Sequence, residues 1–268
     1  MKKIVVSLLI CVGVSLVSCI DTEEKITLHA DKSGTYELSI DLSSMMEQLK
    51  AIKPDEAKAF GQDKDTIINF SSFTDTSTTL TAEEKELLKK GSMHIVMGGE
   101  KDQMKMAFKV PFKDVQQLMY LKQHMYEMID KLKAEKNIFG DDDAAANDDA
   151  ADNADRGGMG KDPGNLLNPA QQAFTFNIQN NTISNKLTDK NVVSNWLATD
   201  SSMQMIMPML SMLGDFNYTT TFILPSPVKQ YSGGSESKLS DDKKTITFIN
   251  TLSGMVDKPE SFEYNIEY

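Results

Sequence analysis

A chain of 268 residues with a formal charge of −11 and a mean hydropathy of −0.35 is long enough for one large or two small domains with a real core. A surface that acidic is repelled by nucleic acid and by anionic lipid headgroups, which excludes nucleic-acid binding. The single arginine, Arg156, lies in a low-complexity tract, so no ordered bidentate clamp for phosphate or carboxylate is expected.

Lys2 and Lys3 precede an apolar run from Ile4 to Val17, and Ser18 and Cys19 follow. A charged start, a short apolar middle and a small-residue exit describe a secretory leader. The run is too short to cross about 30 Å of hydrocarbon comfortably as a helix. The exit Leu16-Val17-Ser18-Cys19 resembles the lipobox of bacterial lipoproteins. That resemblance implies cleavage before Cys19, acylation of its sulfur and palmitate-type chains that hold the protein to a membrane, each buried methylene contributing about 0.8 kcal/mol. Residue 20 is isoleucine and not the aspartate of an inner-membrane retention signal, so the expected address is the outer membrane. Asp21, Glu23 and Glu24 resemble the surface-export signal of some Gram-negative lipoproteins, which implies exposure at the cell surface; read from the residues alone they are a solvated tether over residues 19–25.

The only cysteines are Cys11 and Cys19, so the mature domain has no disulfide and relies on its core. Loss of Lys2 and Lys3 with the leader leaves 26 basic against 39 acidic residues, a balance of −13.

From residue 26 the alternation of Ile26, Leu28 and Ala30, a turn at Asp31–Gly34, and the alternation of Tyr36, Leu38, Ile40 and Leu42 predict an antiparallel hairpin with one wet face. Ser43 or Ser44 caps a short helix that stops at Pro54. Residues 55–80 are poorly periodic, although Ile67, Ile68, Phe70 and Phe73 are expected in a core. Thr81 and Glu84 have capping-box spacing for a helix that ends at Gly91. A second hairpin carries Met93, Ile95 and Met97, then Met104, Met106, Phe108 and Val110, and ends at Pro111. Asp114 caps the longest helix, about 115–136, with Val115, Leu118, Met125, Tyr126, Ile129 and Leu132 at helical spacing.

From Gly140 to about Gly164 the run DDDAAANDDAADNADRGGMGKDPG has little to bury and reads as a disordered acidic insertion, about 140–165. Its eight aspartates lack the ligand spacing, mid-loop glycine and terminal glutamate of an EF-hand. The second half reads mostly as strand: Phe174–Ile178, a turn at Asn180-Asn181, Ile183–Leu187, Phe216–Leu224, then a meander through Val228–Tyr231, Leu239, Thr245–Thr251 and Phe262–Tyr268.

The first hairpin, the segment FILPSPVKQYSGG and the later SDDKKTITF are similar to the LppM-type lipoprotein domain over about residues 25–42 and 218–250. The resemblance implies an α+β fold and an interaction with lipids or glycolipids at the cell envelope. The acidic insertion and the lack of an evident C-terminal membrane helix depart from that pattern.

Little else points to chemistry. His29, His94 and His124 lie far apart, with no HExxH and no paired cysteines. No Gly-x-Ser-x-Gly elbow and no glycine-rich phosphate loop is present. A carboxylate pair for glycoside hydrolysis would need two carboxyls about 5–9 Å apart in a cleft. Of seventeen methionines, Met203, Met205, Met207, Met209 and Met212 fall in ten residues. They read as core packing, as a pliable apolar surface contacting a ligand, or as a Met-x-Met run for Cu(I).

The expectation is therefore an α+β domain, mostly antiparallel sheet with the 115–136 helix on one face. Residues 1–18 are its leader and 26–268 a single domain. Its expected role is non-enzymatic, with no cofactor and no metal: a lipid-anchored envelope protein that binds a lipid, glycolipid or other apolar partner. A structural component of a surface assembly is the alternative, and a Met-rich Cu(I)-handling protein a further one.

Overall fold

The computed structural model describes residues 20–52, 63–98, 103–135, 172–199 and 215–268. Cys19, the acidic tract and the run Met203–Met212 lie outside them, as do the expectations placed there.

Strand β1 (Ile20–Leu28) pairs antiparallel with β2 (Gly34–Asp41), Leu28 opposite Gly34 and Asp21 opposite Asp41. Gly34 is fixed by space, since a Cβ there would stand 1.9 Å from the Thr27 carbonyl oxygen and 2.6 Å from the Phe112 ring. The strand starts at Ile20, inside the stretch expected to be a tether. Alternation carries Asp21 and Glu23 outward and puts Ile20, Thr22 and Glu24 on the inner face with Ile26 and Leu28. The acidic run is thus part of the sheet.

Helix α1 (Ser43–Ile52) follows as expected. Residues 64–69 then form a strand, β3 (Lys64–Asn69), paired with β4 (Ser92–Gly98). Its alternation leaves Ile67 65% exposed, against expectation, and turns Ile68 toward the core. A one-turn helix, α2 (Ser71–Thr74), leads to α3 (Ala82–Leu88). There the capping box is closed: Glu84 N–H donates to the Thr81 hydroxyl at 3.2 Å, and Thr81 N–H donates to the Glu84 carboxylate at 2.7 Å.

Strand β5 (Gln103–Phe112) runs through Pro111 instead of ending there. The proline is tolerated because β4 pairing stops at Ser92 opposite Lys109, so its missing N–H is not wanted on that side. Asp114 accepts from Gln117 N–H at 2.9 Å and opens α4 (Val115–Glu135), a helix of 21 residues.

Strands β6 (Phe174–Gln179) and β7 (Thr182–Leu187) turn at Asn180 and Asn181, both at positive φ (51° and 60°) as a two-residue hairpin requires. The sequence reading passed over α5 (Lys190–Thr199), whose Val193 and Trp196 are buried. The remaining strands are β8 (Phe216–Ile223), β9 (Gln230–Gly233), β10 (Glu236–Leu239), β11 (Thr245–Thr251) and β12 (Tyr264–Glu267). Helix α6 (Leu252–Asp257) and a 3-10 turn (Pro259–Phe262) precede β12.

Among the described residues these strands form two sheets: an eight-stranded one, β10-β11-β8-β1-β2-β5-β4-β3, and a four-stranded one, β6-β7-β12-β9. All pairings are antiparallel except β1 with β8. The α+β, mostly antiparallel expectation holds, but the late strands are not one meander. Gly233 and Gly234, at φ 104° and 74°, carry the chain from the small sheet into the large one within two residues. The main core lies between the inner face of the large sheet and a cover made by α4 and the small sheet. A second cluster, around Trp196, Tyr218, Leu252, Met255 and Phe262, fills the side under α5 and α6.

Candidate functional site

Glu24 occupies the middle of β1 on its inner face and is fully buried. A carboxylate there is tolerable only if charged and polar partners replace its water. Lys122, on the α4 face that packs over the sheet, supplies the countercharge in a direct ion pair. The Tyr36 hydroxyl donates to the other carboxylate oxygen at 2.8 Å, and Thr220 on β8 donates at 3.4 Å to the oxygen that Lys122 holds. Lys122 also stands 5.7 Å from the centroid of the Phe176 ring, within cation–π range.

Three phenols surround this pair. Tyr36, Tyr126 and Tyr264 are buried, and the pKa of each is raised by burial first and the Glu24 charge second. They remain protonated donors at any physiological pH. The hydroxyls of Tyr126 and Tyr264 are buried without a hydrogen-bond partner among the described residues.

Lys122 forms part of the wall of a cavity of about 90 Å³ between α4, the small sheet and the inner face of β8 and β11. Five aromatic residues contribute to its wall: Phe174, Phe176, Tyr218, Phe262 and Tyr264. They brace one another, with Tyr218 and Phe174 at 5.7 and 6.2 Å from Phe262 between ring centroids, and Phe248 stacked on Tyr264 at 5.0 Å. Gln123, Thr175, Asn185, Thr220 and Asn250 add polar edges, and Met119 and Met255 complete the apolar part. Asn185 is fixed by donating to the Phe262 carbonyl at 3.0 Å, and Asn250 by accepting from Ser235 N–H at 2.9 Å.

Space of this size holds several waters or the compact part of a small molecule. Among the described residues its one cation, Lys122, is neutralised by Glu24 behind it, and no aspartate or glutamate lines it. The arrangement suits an uncharged or zwitterionic group with an apolar body: flat walls for stacking, amides and hydroxyls for orientation. Among the described residues it supplies no pair of carboxylates at the cavity surface for glycoside chemistry.

The site residues expected from the sequence, Cys19 with Met203, Met205, Met207, Met209 and Met212, lie outside the described residues. The three histidines are not brought together. His29 bonds Ser33 at 3.2 Å, His94 pairs with Asp65 at 2.7 Å and His124 with Glu127 at 3.1 Å, each beside its own element and none in the cavity wall. Among the described residues no group of three or more His, Cys, Asp or Glu is placed to hold a metal ion.

Sequence reasoning missed Glu24 and Lys122, and a signal for each was present. Glu24 interrupts the inner-face alternation of Ile20, Ile26 and Leu28, and Lys122 stands one turn after Leu118 and one before Tyr126 on the apolar stripe of α4. Opposite charges on two apolar faces are the mark of a buried pair.

No family model matches the chain, and no curated protein matches it. Among solved structures it is similar to the folded domain of LppM from Mycobacterium tuberculosis, determined by NMR. The TM-score is 0.33 with 8% identity, over 93% of this chain and 87% of that one.

Proposed function

We propose that this chain is a lipid-anchored protein of the bacterial cell envelope, held at Cys19, whose domain binds a small amphipathic ligand without transforming it. The ligand class is the compact polar part of a lipid or glycolipid together with the first apolar atoms behind it. The observation that carries the reading is the aromatic cavity with the neutralised Lys122–Glu24 pair at its wall. A site built for uncharged, partly apolar groups fits an acidic protein that repels anionic headgroups. The leader and the Leu16–Cys19 lipobox support the envelope setting, with the outer membrane as the address.

The single tryptophan, Trp196, packs in one cluster with Tyr218, Met255 and Phe262 of the cavity wall, so its fluorescence is a built-in reporter. Titrating the detergent-solubilised full chain with a lipid extract of its host should give a saturable change in Trp196 emission. Thr175→Phe, at an exposed position of the wall, should abolish it. An emission that does not respond, or responds equally in Thr175→Phe, contradicts the reading.

One observation favours the second reading, a structural component of a surface assembly: Ile67 is 65% exposed on the edge strand β3. Site-specific crosslinking at Ile67 to one defined envelope protein would support it.

A further inference from the structure

The chain leaves no slack between the residue proposed to carry lipid and the folded sheet. Ile20, the residue after Cys19, is already opposite Phe216 in the β1–β8 ladder and is buried, and Asp21 is opposite Asp41. Neighbouring Cα atoms are about 3.8 Å apart, so an acyl chain on Cys19 would enter the bilayer beside the end of the large sheet where β1 starts.

That end is apolar. Ile20, Ile40 and Leu42 form a small cluster of their own, with half-buried Met45, Met104 and Phe216 packed on it. Helix α1 is held there by Leu42 N–H donating to the Met104 carbonyl at 2.8 Å, and by Met104 N–H donating to the Ser43 hydroxyl at 3.2 Å. The charges close by are largely acidic or paired, as Lys105 is with Asp41 at 2.7 Å. The chemistry is that of a shallow contact with a neutral lipid surface and not of a basic patch for anionic headgroups.

We propose that this end of the domain, with α1 and the Ile20–Phe216 edge, is a membrane-contacting face, and that the domain stands on the bilayer with β1 rising from it. The proposal rests on acylation of Cys19 as read above. It also fixes the source of the ligand. Tyr218 and Thr220 of the cavity wall are opposite Thr22 and Glu24, two and four residues up the ladder from Ile20. At about 3.3 Å per residue they stand roughly 7–13 Å above the contact, within reach of a molecule still seated in the membrane.

The mature chain offers no thiol other than Cys19, so an introduced cysteine is a unique labelling site. Ser44→Cys and Glu47→Cys place a dye on α1. Ala30→Cys and Asp241→Cys place it on exposed turns at the opposite end of the sheet. The full lipidated chain is reconstituted in phosphatidylcholine vesicles with brominated acyl chains. Quenching at 44 and 47 should exceed that at 30 and 241 at least threefold. A twelve-residue Gly-Ser insertion between Cys19 and Ile20, a coil of about 20 Å, should remove most of that difference. Metabolic labelling with palmitate, compared with Cys19→Ser, separates the two failures. Label absent from Cys19 overturns the anchor and the proposal with it; label present with equal quenching at both ends overturns the orientation alone.

Discussion

Two Glu–Lys pairs tie the long helix α4 to the rest of the molecule, nine residues apart on that helix, and they are built differently. Lys122 meets Glu24 deep against the large sheet, where the carboxylate is fully buried and its other partners are hydroxyls. Lys131 meets Glu84 of α3 at 2.8 Å and Glu127, one turn back on its own helix, also at 2.8 Å. Glu84 is besides tied to Thr81 N–H and accepts from the Tyr120 hydroxyl at 3.2 Å. The outer pair is a shared network in which each loss leaves another partner. Among the described residues the inner pair has one cation for one anion and two unpartnered phenols, Tyr126 and Tyr264, beside it. It is the costly arrangement, and it is the one beside the cavity. A fold seeking stability alone gains little from a buried ion pair, which apolar residues of the same volume replace without loss.

The sharpest way to break this comparison is to remove each cation. Lys122→Met leaves Glu24 buried and uncompensated and should destabilise the domain by about 3–5 kcal/mol in urea denaturation. The double variant Glu24→Leu with Lys122→Met should recover most of that loss. A single variant costing under about 1 kcal/mol would show that water reaches Glu24 and that the pair is not buried as described. Lys131→Met should cost less, about 1.5 kcal/mol, because Glu84 keeps the Thr81 and Tyr120 donors.

Acid sharpens the contrast. Burial raises the Glu84 carboxyl, but the hydrogen bonds from Lys131 and Thr81 outweigh it and hold the group below its ordinary value of 4.5. Glu37 between Lys25 and Lys109, and Asp41 beside Lys105, are lowered in the same way, burial opposing and the lysine hydrogen bonds prevailing. Groups depressed in the folded state give their full stabilisation above the unfolded pKa and lose it as pH falls through the folded one. The urea midpoint should therefore hold between pH 7 and 5 and fall below about pH 4.5, and Glu84→Gln should blunt that fall. A midpoint that rises on acidification would contradict the assignment.

Two smaller effects complete the series. Thr81→Ala opens the capping box of α3 and should cost about 1 kcal/mol by thermal or chemical denaturation. Ile67→Thr, on the exposed face of an edge strand, should move stability by no more than about 0.5 kcal/mol.

The same contrast explains what was legible in the sequence. Glu84 was readable because its role is local: a Thr three residues earlier defines a capping box wherever it occurs. The hairpins and α4 were readable for the same reason, since alternation and helical spacing are properties of adjacent residues. Glu24 and Lys122 are 98 residues apart, and each alone looks like a solvated charge. The β1 start at Ile20 was hidden because a cleavage exit and an acidic run look like a tether, while the pairing with Phe216 lies almost two hundred residues away. Helix α5 carries Val192 and Val193, weak helix formers, and its place is set by burial of Trp196 and Val193. The division of the late strands between two sheets depends on where the chain turns at Gly233 and Gly234, a tertiary choice that no local period encodes.

Mass spectrometry of the organic extract from the full lipidated chain, purified from its own host, tests ligand binding most directly, with Gln123→Trp as the obstructed control. Gln123 is an exposed part of the cavity wall, so the larger ring should fill the space and leave the fold intact. The account predicts one amphipathic species near one equivalent in the wild type and its loss in the variant. An extract holding no such species, or the same species at the same level in both proteins, would contradict it.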